Sequence, residues 1–482
     1  MATPFERALE VFHETVARVP AYRAFLTGQG IAPEHVRDEV AFRALPLMTK
    51  ANYFHRFPLD ARCREGALAR AEMIAVSSGS TGEPAFWPRT AQDEARVSER
   101  FEQVFHDSFR ADERTTLAVI CFPLGTWVGG MYTTSGCRAL TAKGHKVTVV
   151  TPGNNKDEIL RVVVALAPSF EQVVLLGYPP FLKDVVDTAR ARGIDLAAWR
   201  VKLVLAGEVV SEEWRTLLAE RLGQGEILFD SASLYGTADA GVLATETPLS
   251  IALRRFFAAH PEWARERFGE SRLPTLAQYD PFARYFEERD GTLLFTADGG
   301  VPLVRYHIAD TGGVATFGEM MEFARARGFV VPAALERASQ VRGARGVREM
   351  PFVWVFGRSH FTVSFFGANV FPENVTVALE EAPIHTWVTG KFVLMAEEDA
   401  ARDRRLRLVV ELAPGVAASD DKIEAIGASV VRALVLRSSE FAHYVPKERQ
   451  RPEVMLAPAG DPTWFPVGVK HRYTRPTREK GA

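Results

Sequence analysis

From about residue 70 to 235 the sequence repeats one pattern, in which short apolar runs alternate with longer stretches of helical spacing. The apolar runs predict buried strands at 117–122, 146–150, 172–176 and 201–206, and the stretches that alternate with them include predicted helices at 180–192 and 211–222. Strands that alternate with helices at this spacing are typical of βαβ units, whose neighbouring strands run parallel. This alternation restricts the region to an α/β fold.

The flanking regions have different patterns. An amphipathic helix is predicted at 4–18 and is expected to stop at Pro20. Residues 291–316 predict short strands around a turn at Asp298-Gly-Gly300, which indicates a smaller antiparallel β subdomain. After about residue 357, two apolar strands at 392–395 and 406–412 are followed by a helix, as in a small α+β domain.

Composition excludes several classes of protein. The 482 residues carry a formal net charge of −2, so the sequence has no electrostatic footprint for nucleic acid or for an anionic membrane. The cysteines Cys63, Cys121 and Cys137 are widely spaced and form no CxxC, which argues against structural zinc and a disulfide framework. No apolar run approaches the ~18 to 20 residues of a membrane span. A soluble cytoplasmic protein is expected.

The most informative segment is Ser77-Ser-Gly-Ser-Thr-Gly-Glu-Pro84, which follows the apolar run 73–76. Its glycines allow close approach of the backbone to a ligand, and its hydroxyls and N–H groups can donate to phosphate oxygens. No Gly-Lys-Ser/Thr follows, so the segment is not a Walker P-loop. The alternative is a flexible Gly/Ser surface loop.

Four more segments follow in order. They are Ala206-Gly-Glu208 after a buried strand, Ser233-Leu-Tyr-Gly-Thr-Ala-Asp239, Val301-Pro-Leu-Val-Arg-Tyr-His-Ile-Ala-Asp310, and Phe356-Gly-Arg-Ser359 with Gly367-Ala-Asn-Val-Phe-Pro372. Taken alone, the first is better explained as an ordinary strand-to-helix turn. Asp310 is equally a turn residue before Thr311-Gly-Gly313.

Together these five segments resemble the motifs of the acyl- and aryl-adenylate-forming enzyme superfamily, in its phenylacetate–CoA ligase and capsule-biosynthesis-like branch. The resemblance extends from about Pro20 to Lys470. It implies a large N-terminal domain over 1–356, with mostly parallel sheets and a β subdomain, and a small mobile α+β C-terminal domain over 357–482. The hinge is expected near 358–361. The implied reaction is ATP-dependent activation of a small carboxylic acid to acyl-AMP with release of pyrophosphate, followed by transfer to a thiol such as CoA.

The resemblance also implies roles for individual residues. The residues expected to bind ATP are Ser77, Ser78, Gly79, Ser80, Thr81, Gly82, Gly207, Glu208, Ser233, Leu234, Tyr235, Gly236, Thr237, Asp310 and Arg358. Tyr235 would stack on the adenine, and the two carboxylate oxygens of Asp310 would accept both ribose hydroxyls. Asp239 stands where relatives carry the acidic residue that binds Mg²⁺.

The catalytic residues implied are Lys470, Asp239 and Arg358. A lysine at 470 would offset charge that builds up on the α-phosphate, although Lys447 and Lys480 are alternatives to it. The sequence departs from the family at Ala238, where relatives carry Ser or Thr, and at His360-Phe361, where they carry an acidic pair. No cysteine lies in 241–247, so no structural zinc is expected.

The acid pocket is assigned by order and spacing to Phe122, Trp127 and Tyr178, with Tyr235. These aromatic residues could enclose an aromatic or arylacetic-like acid, and ordinary core packing is the alternative. CoA is the expected co-substrate, and a carrier protein or an amine is the alternative acyl acceptor. The protein could also assemble as a homodimer. A non-catalytic nucleotide-binding homologue is the rival hypothesis from a different class.

Overall fold

The computed structural model describes residues 2–77, 85–270, 273–340, 345–358, 362–465 and 473–474. Its strands are β1 Met73–Ser77, β2 Ala85–Arg89, β3 Thr116–Ile120, β4 Val147–Val150, β5 Gln172–Gly177, β6 Val201–Ala206, β7 Ser231–Thr237, β8 Gly241–Thr245, β9 Thr275–Gln278, β10 Tyr285–Arg289, β11 Thr292–Ala297, β12 Leu303–Ala315, β13 Phe352–Arg358, β14 Val363–Phe365, β15 Ala368–Val370, β16 Val388–Glu398, β17 Arg404–Leu412 and β18 Glu453–Ala457.

The helices occur between these strands and at the N-terminus. They are α1 Pro4–Arg18, α2 Pro20–Gly28, α3 Glu39–Arg43, α4 Ala91–Asp107, α5 Val128–Ala142, α6 Lys156–Leu166, α7 Pro179–Ala191, α8 Glu212–Arg221, α9 Pro248–Ala258, α10 Pro261–Phe268, α11 Phe317–Arg325, α12 Ala333–Gln340, α13 Pro372–Leu379, α14 Asp420–Arg437 and α15 Ser439–Tyr444. The helix predicted at 4–18 is confirmed. Pro20 begins α2 instead of merely stopping α1, because a proline at the first helical position loses no hydrogen bond.

The chain forms two compact units. The first contains the described residues of Met1–Ser77, Phe86–Gly177 and Val185–Gly357, and the second contains Ala85, Tyr178–Asp184 and the described residues after Gly357.

The first unit is built on a sheet with the strand order β10-β11-β12-β13-β9-β8-β7-β6-β5-β3-β4. Strands β4, β3, β5, β6 and β7 pair parallel, whereas β7 with β8, β8 with β9, β9 with β13, and the strands from β10 to β12 pair antiparallel. The antiparallel strands predicted within 291–316 are confirmed as β11 and β12. They extend the same sheet instead of forming a sheet of their own.

Burial explains why the parallel strands are visible in the sequence. Every residue of β3 and β5 is buried, and so is β6 up to its last residue. A strand covered on both faces needs apolar side chains at nearly every position, which produces a continuous apolar run. At the antiparallel side, α9, α10 and α11 pack on β9 and β13 around a core that includes Phe257, Phe268, Met320 and Trp354.

The second unit contains a three-stranded sheet in the order β16-β17-β18. Strands β16 and β17 are antiparallel, and β17 and β18 are parallel. A core of Val393, Met395, Val409, Ala457 and Phe465 covers one region of this sheet. The strands and α14 confirm the α+β character predicted after residue 357.

Within the described part of the chain, no helix has the length and apolarity needed to cross a lipid bilayer.

The three cysteines are buried free thiols, and burial raises the pKa of Cys63, Cys121 and Cys137. Because the thiolate is the reactive form, a raised pKa keeps each sulfur protonated and slow to react near pH 8. We therefore expect Ellman's reagent to modify the native protein slowly, at Cys63 first. Unfolding in guanidinium should release three thiols at once. Rapid modification of all three in the native state would contradict this burial, and a Cys63→Ser variant identifies the first site.

Candidate functional site

The parallel strands bring several predicted site residues to one edge of the central sheet. Phe122 follows the end of β3, Gly207 directly follows β6, and Tyr235 lies near the end of β7. Because these strands run parallel, their carboxyl ends meet at the same edge. The strand order reverses between β3 and β5, with β4 on one side and β6 on the other. Ligands of open α/β sheets bind outside the carboxyl ends of the strands at such a reversal.

Tyr235 and Asp310 form a buried pair. The Tyr235 hydroxyl donates to Oδ2 of Asp310 at 2.7 Å, although the residues are 75 positions apart in the sequence. The Tyr235 ring stacks on Phe286 with centroids 6.3 Å apart and planes at 27°. A base stacked on Tyr235 therefore has to use the opposite face of the ring. Two residues assigned separately to the adenine and the ribose are thus in direct contact.

A backbone irregularity in β12 places Asp310. Between the pairs Thr292↔Thr311 and Leu294↔His307, β12 contains two residues more than β11. Ala309 has a φ of 63°, a left-handed conformation that is uncommon for a residue with a side chain. Bulges of this kind re-aim side chains and are common beside active sites. The interpretation of Asp310 as a turn residue is wrong, because it lies within the strand.

Asp239 lies in the connection between β7 and β8, and its side chain is only 2% exposed. Its Oδ2 accepts a hydrogen bond from the Tyr306 hydroxyl and lies 3.7 Å from Nζ of Lys50. The Lys50 side chain is 39% exposed. The buried Asp239 carboxylate therefore lies beside the Lys50 ammonium group, and the Lys50 side chain is partly exposed to solvent.

Lys50 is positioned by the segment that precedes it. The Met48 N–H donates to the Arg305 carbonyl at 3.3 Å, and the His307 N–H donates to the Met48 carbonyl at 2.9 Å, so Met48 pairs with β12. The Arg305 guanidinium donates to the carbonyl of Leu45 at 2.6 Å. Since β12 also contains Tyr306, one strand holds both groups that contact Asp239.

The residues around Asp239 fit a directly bound magnesium ion only in part. Mg²⁺ in nucleotide enzymes is held by one or two carboxylates, waters and phosphate oxygens, so a single aspartate can suffice. The described residues contain no group of three or more His, Cys, Asp or Glu side chains placed to hold a metal. An ion at Oδ2 would have to displace the ammonium of Lys50, which already supplies a positive charge there.

Arg89, on β2, holds the backbone beside Asp239. Its guanidinium donates to the carbonyl of Asp239 at 3.0 Å and to the carbonyl of Ala238. The Thr237 hydroxyl accepts from the N–H of Ala240 at 3.1 Å. The chain from 237 to 240 is therefore fixed by side chains from two strands.

Ser77 is the only residue of the Ser/Thr/Gly segment that the structure describes together with its side chain. Its hydroxyl accepts a hydrogen bond from Nε1 of Trp87 at 2.9 Å, and both side chains are buried. Ser78, Gly79, Ser80, Thr81 and Gly82 lie outside the described residues.

Replacing Ser77 with alanine is expected to lower the free energy of unfolding by about 1–3 kcal/mol, because the buried Trp87 N–H loses its acceptor. The midpoint of urea unfolding measures this loss. The control is the double variant Ser77→Ala/Trp87→Phe, in which donor and acceptor are both absent. If the hydrogen bond is responsible, the double variant loses less than the sum of the two single variants. Strict additivity would show that packing alone accounts for the change.

Several other predicted ATP-binding residues stabilise the strands in which they lie. The Ser233 N–H donates to Oε2 of Glu246 at 2.8 Å, and Leu234 is buried within β7. A Cβ at Gly236 would lie 2.9 Å from the Gly241 carbonyl oxygen, so the close approach of β7 and β8 requires glycine. Gly207 has a φ of 87°, and Glu208 follows it.

The aromatic residues assigned to the acid pocket lie in different settings. Phe122 is buried in the first unit, and Trp127 is half-buried at the start of α5. Tyr178 belongs to the second unit, where its ring stacks on Tyr444 with centroids 5.3 Å apart. Phe122 follows β3 and Tyr235 lies in β7, with β5 and β6 between these two strands in the sheet.

Arg358 is the last residue of β13. Lys470 lies outside the described residues, as do Ser359, His360 and Phe361. Of the two alternative lysines, Lys447 lies in a short 3₁₀ helix, Lys447–Arg449, and Lys480 is outside the described residues.

The sequence analysis did not identify Lys50 or Arg89 as site residues. Lys50 is 189 positions from Asp239, and Arg89 contacts the carbonyl of Ala238, which is 149 positions away. Neither residue belongs to a motif that one sequence makes visible. Arg305 and Tyr306 belong to the motif segment 301–310, and in the structure the Tyr306 hydroxyl contacts Asp239.

No family model matches the chain, and no curated protein matches it. Solved structures of 2-hydroxyisobutyryl-CoA ligase have a similar fold. In complex with 2-HIB-AMP and CoA in the thioesterification state, that ligase is 15% identical, with 99% of this chain and 89% of the ligase covered and a TM-score of 0.66. In the postadenylation state with R3-HIB-AMP the identity is 15%, the coverage 98% and 89%, and the TM-score 0.56.

An open conformation of the same ligase gives 14% identity, coverage of 98% and 90%, and a TM-score of 0.55. At these identities the likeness establishes a shared fold. The predicted α/β fold class is confirmed, and the fold is shared with 2-hydroxyisobutyryl-CoA ligase. The assignment to the phenylacetate–CoA ligase branch stays a prediction.

Proposed function

We propose that this protein is an ATP-dependent ligase that activates a small carboxylic acid as its acyl-AMP and then transfers the acyl group to a thiol. The observation that supports this most is the contact between Tyr235 and Asp310 at 2.7 Å, because motif resemblance assigns the two residues to adjacent parts of one nucleotide. Both lie in a fold shared with 2-hydroxyisobutyryl-CoA ligase, whose solved complexes contain 2-HIB-AMP and CoA. Residues and fold thus favour the same chemistry.

The proposed roles follow from the chemistry of each side chain. Asp310 accepts the two ribose hydroxyls, with the Tyr235 hydroxyl holding the carboxylate in position. Ser77, Ser78, Gly79, Ser80, Thr81 and Gly82 surround the triphosphate, and Gly207-Glu208 lies beside the adenine. A carboxylate oxygen attacks the α-phosphorus in line, forms the acyl–phosphate bond and expels pyrophosphate. Lys470 and Arg358 offset the charge that gathers on the phosphate oxygens.

Asp239 is proposed as the carboxylate that holds Mg²⁺ when ATP is bound. The ion would neutralise charge on the phosphates, and Asp239 and Lys50 are the residues of this chain that would meet it. Lys50 contacts Asp239 at 3.7 Å and reaches solvent, so it can move away from the carboxylate as a metal arrives. Tyr306 and Arg89 keep the carboxylate and its backbone in place.

The acid pocket is proposed from the order and spacing of aromatic residues, and the acceptor from the family resemblance. Phe122, Trp127, Tyr178 and Tyr235 are proposed to enclose an aromatic or arylacetic-like acid, with CoA as the acceptor. Residues 1–356 and 357–482 are the proposed domains, and 358–361 the hinge between the two half-reactions. Because His360 and Phe361 replace an acidic pair at that hinge, a carrier protein or an amine is the second candidate acceptor. The proposed location is the cytoplasm, with a homodimer as the proposed assembly.

Hydroxylamine trapping tests this proposal. Purified protein is incubated with ATP, MgCl₂ and a panel of aryl, arylacetic and aliphatic acids, and the acyl hydroxamate formed from acyl-AMP is measured. AMP release is then followed with and without CoA. Hydroxamate with one class of acid supports adenylation, and CoA-stimulated AMP release supports CoA as acceptor. Hydroxamate without CoA stimulation favours the carrier-protein or amine alternative. No hydroxamate with any acid, while ATP still binds in calorimetry, would favour the non-catalytic homologue.

A further inference from the structure

A small polar cavity lies in the first unit, next to the connection between β7 and β8. Its volume is about 10 Å³, which is enough for a single water-sized occupant. The polar side chains that line it are Arg89, Asp93, Tyr132, Asp239, Arg284 and Asp298. The cavity therefore combines acidic and basic groups in a space that admits one small species.

Two arginines of this cavity are buried and form no ion pair with a described acidic side chain, although Asp93 is near enough to act electrostatically on Arg284. Arg89 and Arg284 are 3% and 6% exposed. Arg284 donates to the carbonyls of Ala240 at 3.1 Å and of Ala283 at 2.8 Å, and Arg89 donates to the carbonyls of residues 238 and 239. Nε of each guanidinium has no hydrogen-bond partner among the described residues. Carbonyl dipoles do not neutralise a buried charge, which is costly unless it is paired.

The carboxylates of the cavity are already compensated by other cations. Asp298 pairs with Arg96 at 2.8 Å and with Arg64, Asp93 lies 3.7 Å from Arg96, and Asp239 lies 3.7 Å from Lys50. Arg64 is shared with Glu14, at 3.6 Å, so five cations, counting Arg89 and Arg284, stand against four carboxylates. The excess positive charge is located at Arg89 and Arg284, whose hydrogen bonds among the described residues go to carbonyl oxygens.

The charge on Arg284 persists at neutral pH. Burial, followed by the nearby Arg96, lowers the pKa of Arg284 to about 10, which is still well above 7. Arg89 also lies 5.5 Å from the ring centroid of Tyr132, within the range of a cation–π contact.

We propose that this cavity is a binding site for one small monovalent anion, such as chloride, held between the guanidinium groups of Arg89 and Arg284. The anion would take the free Nε–H groups and compensate the excess charge. Because the two arginines donate to three consecutive carbonyls, at 238, 239 and 240, the bound anion would also fix the backbone that carries Asp239. The cavity borders the proposed active site through Asp239, but it needs neither ATP nor an acid to be occupied, so the inference holds whether or not the protein adenylates an acid.

The test compares chloride with gluconate, an anion too large for the cavity, at one constant ionic strength. The Tm of the full-length protein is followed by calorimetry while gluconate is replaced by chloride. We expect the Tm to rise by about 2 °C for each tenfold increase in chloride above its Kd, as linkage requires for a site in a unit of this size. Equal Tm values in chloride and gluconate would overturn the proposal.

Two variants locate the effect. Arg284→Met removes one of the two guanidinium groups and should abolish the dependence of the Tm on chloride, whereas Arg161→Met, at an exposed arginine of α6, should keep it. If Arg284→Met does not fold, wild-type crystals soaked in bromide give the same information. An anomalous peak between Arg89 and Arg284 supports the site, and a cavity that holds only water overturns it.

Discussion

Replacing Asp310 with alanine is expected to lower kcat/KM for ATP by about 10²- to 10⁴-fold. The carboxylate is proposed to accept two ribose hydroxyls, and each hydrogen bond to a charged group contributes about 1.5–3 kcal/mol. A loss of 1.4 kcal/mol in transition-state stabilisation is tenfold in rate. The substitution also leaves the buried Tyr235 hydroxyl without the acceptor it has at 2.7 Å. Pyrophosphate formation at varied ATP concentration measures the effect.

Two controls separate nucleotide binding from general damage. Tyr235→Phe keeps the ring and removes only the hydroxyl that contacts Asp310, so its effect should stay below about tenfold. Asp157→Asn changes an exposed carboxylate at the start of α6 and should leave the kinetics unchanged. If Asp310→Ala retains wild-type kcat/KM while its Tm falls, Asp310 is a structural residue and the ribose assignment is wrong.

Replacing Arg215 with methionine is expected to reduce the free energy of unfolding by about 3–5 kcal/mol. Arg215 is buried on α8, where it donates to both oxygens of Glu246 at 2.9 Å and pairs with Glu212 at 3.3 Å. Glu212 also pairs with the buried Arg254. Without Arg215, Glu246 would remain buried without its cation. The Glu246 carboxylate also accepts a hydrogen bond from the Ser233 N–H, so the loss of Arg215 should destabilise β7 as well.

Urea unfolding followed by tryptophan fluorescence measures this loss, since Trp214 is buried beside Arg215. Arg161→Met, which removes an exposed partner of Glu158, is the matched control and should give no measurable change. The double variant Arg215→Met/Glu246→Gln should recover part of the stability, because no full charge is then left unpaired. If Arg215→Met is as stable as the wild type, the network does not contribute to the fold.

The same network predicts how stability depends on pH. Burial alone would raise the pKa of Glu212, but Arg215, Arg254 and Arg255 outweigh it and the pKa is lowered. A group whose pKa is lowered by folding stabilises the protein above the pKa it has in the unfolded chain. That contribution is lost as the pH falls through the lower folded pKa. Acid unfolding of the Arg215→Met variant should accordingly begin at higher pH than that of the wild type.

The parallel strands could be predicted from the sequence because burial on both faces leaves a direct signal. The structure has β3 at Thr116–Ile120 and β6 at Val201–Ala206, close to the apolar runs at 117–122 and 201–206. The prediction of strand–helix alternation depended on this signal alone. It did not need knowledge of which strands are neighbours in the sheet.

The length of β12 could not be predicted in the same way. The sequence predicts only short strands within 291–316, since Asp310-Thr-Gly-Gly313 carries the residues of a turn. The structure uses those glycines for close approach, since a Cβ at Gly312 would lie 2.0 Å from the Trp354 carbonyl oxygen. Glycine chemistry that suits a turn also suits a strand pressed against its neighbour. Only the pairing with β13 distinguishes the two.

The candidate site was predictable where a motif spans it and not where distant segments meet. Tyr235 and Asp310 came from motif resemblance, but their contact depends on the bulge at Ala309. The contact of Lys50 with Asp239 depends on Met48 pairing with β12. Such long-range pairings leave no periodic pattern in the local sequence, so reasoning from one sequence does not reveal them.

The central claim is that the protein forms an acyl-adenylate, and ATP–pyrophosphate exchange tests it most directly. Labelled pyrophosphate, ATP, MgCl₂ and each acid of the panel are incubated with wild-type protein and with Asp310→Ala. The account predicts label in ATP that depends on one class of acid, needs no CoA, and falls by about 10²-fold or more in the variant. If no acid of the panel gives exchange, or if the exchange is equal in the wild type and the variant, the proposed adenylation site is contradicted.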